Sequence, residues 1–217
     1  MKKSFAPGCA LMIYKPYLAE KLHVLLNENL NGVDKLLTCC KHEPGFTEMT
    51  EVINICPGCH KRFNNDYPDT TAVSLWEVFA ENNFFPFPDY KGVEMTILDA
   101  CPTREDVKVH SDIRKLLARI NIKVKEPQKT GVHGVCCGDS FFGVLPVEDV
   151  KKQMAKRASE MPAEDVVVYC ISCIKSMHIG GRKPRYIVDL LFGEDTDPQI
   201  YEPELWHKQL DEYIEMH

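Results

Sequence analysis

The sequence predicts an α/β fold made of two pseudo-repeated units, each a small parallel β-sheet flanked by helices. Three observations carry this prediction. β-rich runs alternate with helical periodicities, each such run leads to a cysteine, and the whole arrangement is written twice.

In the first unit, residues 1–88, the run KSFAPGC ends at Cys9 and is followed by Leu18, Leu22, Leu25 and Leu26 at helical spacing. A second β-rich run, EVINIC, leads to CPGC, and an amphipathic segment, AVSLWEVFAEN, follows. The second unit, residues 89–195, repeats the plan. EMTILDAC ends at Cys101, a helix is marked by Ile113, Leu116, Leu117 and Ile120, DVVVYC leads to CISC, and RYIVDLLFGED closes the unit. The proline-rich FFPFPDYKG, 84–92, reads as the connector. Residues 196–217 read as a helical tail with Leu205, Trp206, Leu210 and Ile214 on one docking face.

Parallel strands alternating with helices place ligand sites at the carboxyl ends of the strands, and that is where the cysteines fall. All ten obey one order of single, adjacent pair and CxxC. Cys9, Cys39, Cys40, Cys56 and Cys59 make the first set, and Cys101, Cys136, Cys137, Cys170 and Cys173 the second.

With 217 residues and 44% apolar content, the chain can bury one substantial core or two small ones. A net charge of -6 with scattered Lys and Arg gives no support for a nucleic-acid partner. No apolar run approaches the roughly 18 residues of a membrane span, so direct membrane insertion is not expected. The start MKKSFAPGCALMIYKP has no apolar region before Cys9, which argues against export and for a cytoplasmic protein. In that reducing compartment ten cysteines point to metal ligation or thiol chemistry.

The doublet in GVCCGDSFFG speaks against a structural disulfide. Neighbouring Cα atoms lie about 3.8 Å apart, below the roughly 4.4 Å a relaxed disulfide needs. Adjacent thiolates leave the chain on diverging vectors, which suits different metal atoms of one cluster, and Gly138 allows the backbone to turn away. CPGC carries Pro and Gly where a type II turn wants them, which would fold Cys56 and Cys59 toward a common centre beneath amide N–H groups.

Three readings stay open from the residues. Zinc uses four thiolates and leaves a fifth unexplained, a polynuclear iron centre has vacancies for all five, and a bare redox thiol relay is the third reading. Two thiolates at about 4 Å repel by roughly 4 kcal/mol at an effective dielectric of 20, so a full set calls for metal charge. Cys56-Pro-Gly-Cys-His60 matches a haem-attachment signature, but the second copy has Ile174 in place of His60. His42, His133 and His178 lie near cysteines without repeated spacing.

The doublets and CxxC pairs in two copies, over residues 1 to about 195, resemble the cysteine-rich CCG domain found in the catalytic subunit of heterodisulfide reductase and its relatives. The resemblance implies a noncubane [4Fe-4S] cluster on each set of five, the two facing a common cleft where a small disulfide or thiol substrate reacts. It implies one-electron chemistry at each cluster and a ferredoxin-like iron-sulfur subunit as electron donor, because the chain has no ferredoxin run of its own. The first copy departs from this pattern. Only 15 residues separate its doublet from CxxC against 32 in the second, where VEDVKKQMAKRASEM has helical spacing, and Lys41 follows the doublet where Gly138 stands in the other. A more open first site is expected.

Overall fold

The computed structural model describes residues 1–217. In the first unit the order is β1 (Lys2–Ala6), α1 (Gly8–Tyr14), α2 (Pro16–Asn29), β2 (Asp34–Lys35), β3 (Thr50–Asn54), α3 (Pro57–Asn65), β4 (Thr70–Ser74) and α4 (Leu75–Glu81). The four strands form one parallel sheet in the order β2-β1-β3-β4.

The second unit contains β5 (Val93–Leu98), α5 (Val107–Arg119), β6 (Ile122–Lys125), α6 (Val147–Ser159), β7 (Asp165–Val168), α7 (Ile171–Ile179), β8 (Lys183–Tyr186) and α8 (Ile187–Phe192). Its sheet is parallel too, in the order β6-β5-β7-β8. Strand for strand this is the first sheet again. The chain is therefore an α/β protein of two pseudo-repeated units, and between its second and third strands in chain order only the second unit inserts an α-helix, α6, after its doublet.

Helix α2 is separated from α1 by a break at Lys15, because Pro16 restricts the residue before it to extended torsions and itself suits the first helical position. Leu18, Leu22 and Leu26 are buried while Leu25 is only half-buried. In α5, Ile113, Leu116 and Leu117 are buried together with the capping Ile120. The segments expected as amphipathic after each CxxC are strands running straight into helices. β4 passes to α4 through Ser74, whose hydroxyl accepts from the Glu77 amide, and β8 passes to α8 at Tyr186.

The compact units comprise Met1–Phe84 with Lys208–His217, and Phe85–His207. FFPFPDYKG packs onto the second unit from its second residue, since Phe85 is buried and meets Phe192 edge-on at 5.4 Å. Helix α9 (Pro203–Met216) is divided between the units at His207 and Lys208, where the sequence sets 196–217 apart as a tail. Its buried face carries Trp206, with Leu210 and Ile214 half-buried, but Leu205 is 54% exposed and does not belong to that face.

Candidate metal and redox site

In each sheet the strand order reverses its direction of growth between β1 and β3, or between β5 and β7, so a crevice opens outside their carboxyl ends. The register carries the cysteines to that crevice. Ala6 is aligned with Asn54, and Cys9 and Cys56 follow three and two residues later; Leu98 is aligned with Val168, and Cys101 and Cys170 follow at the same offsets. Both doublets lie in the loop that leaves the neighbouring strand, β2 or β6.

The CxxC pairs do not form type II turns. Cys56 is the extended residue before α3, Pro57 begins the helix, and Gly58 has no positive φ. Proline at the first helical position already has a helical φ, so the chain winds directly into α3. The consequence for the sulfur is as expected: the amides of Cys59 and Gly58 favour the Cys56 thiolate. Cys170 occupies the matching place before α7.

All ten cysteines are free thiols, half-buried or buried, and their mutual electrostatic and hydrogen-bond partners divide them into the same two sets of five. In the first unit, hydrogen bonds run from Cys39 to Cys40 and from Cys59 to both Cys40 and Cys56. Cys9 lies within the fields of Cys56, Cys39 and Cys40. In the second unit Cys136, Cys137, Cys173 and Cys170 are linked in the corresponding order, and Cys101 is bonded to Cys136. No set of three or more His, Cys, Asp or Glu side chains converges so as to hold a metal ion in this structure. The thiols meet pairwise instead.

Proton affinities are spread widely. Burial, reinforced by the neighbouring sulfurs, pushes Cys9 up to about 12. A hydrogen bond from Cys59 outweighs burial and brings Cys56 down to about 6. Cys136 is held far below the usual thiol range by Cys101, then by Cys137, with Ser140 Oγ at 2.9 Å and the Gly138 amide at 3.3 Å. Cys137 and Cys173 are raised because they share protons with their neighbours and are buried. Each set holds some sulfurs ready as thiolates and others as thiols, so deprotonating all five together needs added positive charge.

The two frames around these sulfurs are built differently. In the first, Gly8 has φ +77°, and a Cβ there would come within 3.2 Å of Cys56 Cβ and 3.4 Å of Cys59 Sγ. The start of α1 approaches the CxxC pair this closely because the side chain is missing. Tyr67 ties down the doublet loop by donating to the Cys40 and His42 carbonyls at 2.8 and 2.9 Å, and the Cys39 amide donates to the His217 carbonyl at 3.1 Å.

The second frame is a buried polar network for which the sequence alone gives little sign. Asp99, immediately after β5, accepts two hydrogen bonds from Arg114 at 3.0 and 2.9 Å, and from Thr130 Oγ1 and the Gly131 amide at 2.7 Å each. Tyr169 donates to Asp99 at 3.2 Å and accepts from the Ala100 amide at 2.8 Å. Burial would raise the Asp99 pKa, but Arg114 and the other donors bring it down to about 2. One carboxylate thus ties together the segments that enter Cys101, the Cys136–Cys137 doublet and Cys170. Its one sequence signal is an Asp at the end of the apolar run EMTIL, where a buried charge requires partners.

Gly138 has φ +111°, and a Cβ on it would collide with the Met154 backbone nitrogen and Cγ at 2.7 Å each, so glycine seats the second doublet on α6. The first unit has no α6, and Lys41 takes the corresponding place without a positive φ. Two of the histidines near the cysteines have other partners. His60 meets the side chains of Asn54 and Asn64 at 3.3 Å each, and His178 stacks edge-on with Tyr201. Comparison with protein-family models and with curated proteins gave no match.

Proposed function

We propose that the chain is an iron-sulfur redox protein whose two cysteine sets each hold a polynuclear cluster, of the noncubane [4Fe-4S] type, and that it reductively splits a small disulfide. The observation that supports this most directly is the repetition of one five-thiol arrangement, with the same strand offsets and the same order of sulfur contacts, in two sheets. Pairwise contacts fit ligands spread over several metal atoms better than ligands converging on one ion, and five thiols exceed what tetrahedral zinc uses.

The clusters would supply single electrons. The overall change is R–S–S–R′ plus two electrons and two protons giving R–SH and R′–SH, with a reduced ferredoxin-like iron-sulfur protein as the electron source. The chain's own part is to bury the sulfurs, hold Cys56 and Cys136 as thiolates through hydrogen bonds, and brace the doublets.

The test is electron paramagnetic resonance on anaerobically reconstituted protein, with a dithionite-reduced ferredoxin as donor and a small disulfide as acceptor. A paramagnetic signal that changes on adding thiol, with free thiols released in a ratio of about two per disulfide, is the expected result. A cluster signal that never responds to thiol or disulfide would assign the chain to electron relay, and stoichiometric zinc without sulfide would assign it to metal binding alone.

A further inference from the structure

The two sulfur sets receive different hydrogen bonds from the side chains around them. In the second unit two hydroxyls reach cysteine sulfurs: Ser140 Oγ lies 2.9 Å from Cys136 Sγ, and Ser176 Oγ lies 3.3 Å from Cys137 Sγ. Ser140 is the donor, since its hydrogen bond favours the Cys136 thiolate. Ser176 has one hydrogen and two acceptors, Cys137 and the Ser172 carbonyl at 3.1 Å one helical turn back. A thiolate at Cys137 is the stronger acceptor of the two.

The sequence explains why the first unit lacks both bonds. Ser140 stands four residues after Cys136, and Ser176 three after Cys173; the matching residues after Cys39 and Cys59 are Glu43 and Arg62, which carry no hydroxyl. The doublet amides are not the source of the difference, because Lys41 supplies one to Cys39 as Gly138 does to Cys136. Two charges act the other way, Arg62 favouring the Cys40 thiolate and Asp139 opposing that of Cys137. Each is engaged by a partner at 3.1 Å, Arg62 by Asp66 and Asp139 by His207, and Arg62 is exposed enough for solvent to screen it. Ser176 is fully buried, so no water dilutes its bond.

We propose that Ser140 and Ser176 are positioning residues that raise the reduction potential of the second centre and make it the more easily reduced of the two. Hydrogen bonds donated to the sulfurs of such a centre favour its reduced, more negative state. The proposal rests on reading each set as an iron-sulfur centre, and it gives the pair a direction: an electron delivered to the chain comes to rest at the second centre.

The test is potentiometric titration of the full reconstituted chain, followed by electron paramagnetic resonance. In wild type the second centre should be reduced at the higher potential, identified as the transition that survives when Cys9→Ser and Cys56→Ser are combined. Ser176→Ala should lower that transition by about 59 mV, a tenfold change in a one-electron equilibrium. Ser140→Ala should lower it by less, because Ser140 is exposed and water can take over its bond. Ser172→Ala removes a hydroxyl that accepts from Trp206 at 3.0 Å, and should leave the transition in place. Coincident transitions in wild type, an unmoved transition in Ser176→Ala, or an equal shift in Ser172→Ala would overturn the proposal. Should the buried Ser176→Ala variant fail to load, Ser140→Ala at the surface carries the test, and an unmoved transition there overturns it. Iron and sulfide are counted on the same samples. Variants that carry both yet show no shift sink the hydroxyl assignment alone, whereas wild-type chain that carries neither sinks the redox reading and this proposal with it.

Discussion

Asp99 shows at the residue scale how a sulfur frame is held in place. Its pKa is depressed to about 2 from the usual 3.8, so its contribution is fully present above about pH 4 and is lost as pH falls through 2. The shift corresponds to about 2 kcal/mol. Asp99→Asn should therefore lower unfolding free energy by about that amount at neutral pH, and the gap to wild type should close between pH 4 and 2 in urea titrations. A gap that widens toward acid would contradict the ion-pair account. Cys137 offers the complementary case: it is buried and accepts from Ser176 Oγ at 3.3 Å. Cys137→Ser should change apoprotein stability by about 1 kcal/mol or less while removing about half of the reconstituted iron and sulfide. Undiminished metal content would remove Cys137 from the ligand set.

Elements differ in how legible they are in the sequence. The alternation of strands and helices and helix α6 can be read from periodicity, because each reflects burial of an apolar face, and the doubled cysteine order shows as an internal repeat. The two-residue β2 carries no such signal, since Asp34 and Lys35 are both polar and are recruited by pairing with Ser4 and Phe5. CPGC misleads because Pro-Gly suits a turn and a helix start alike; the continuation HKRFNN, with Phe63 buried, decides for the helix. The Asp99 network is hidden because its members lie up to 70 residues apart along the chain. Packing of α6 on the second doublet can be tested at Gly138, where alanine would clash with the Met154 backbone and should cost about 3 kcal/mol or more. Gly193→Ala, at φ +67° with open space around it, should cost only about 1 kcal/mol. Denaturant midpoints of the two variants give the comparison, and equal losses would show that the close approach to α6 is immaterial. In α9, Trp206 is buried and donates to Ser172 Oγ at 3.0 Å, so Trp206→Ala should destabilise by about 3–5 kcal/mol. Leu205→Ala should stay within about 0.5 kcal/mol by the same measurement, and a comparable loss would reverse the helix orientation described.

For the whole molecule, the doubling matters more than any single contact. A sheet order of 2-1-3-4 with the switch point between its two central strands brings together loops distant in sequence, and the chain makes it twice. No helix is long and apolar enough to cross a membrane. The two units share a sulfur plan and a sheet order but brace the sulfurs differently, because one relies on Gly8 and Tyr67 and the other on Asp99, Tyr169 and α6. Each set should therefore load metal on its own. Cys9→Ser combined with Cys56→Ser should remove about half of the iron while Cys101, Cys136, Cys137, Cys170 and Cys173 keep theirs.

The central claim is that five thiols in each unit serve one polynuclear iron centre. Quantifying iron, acid-labile sulfide and zinc in anaerobically prepared wild-type chain tests it most directly. About eight iron and eight sulfide per chain is the predicted result. One or two zinc per chain with no sulfide would contradict it.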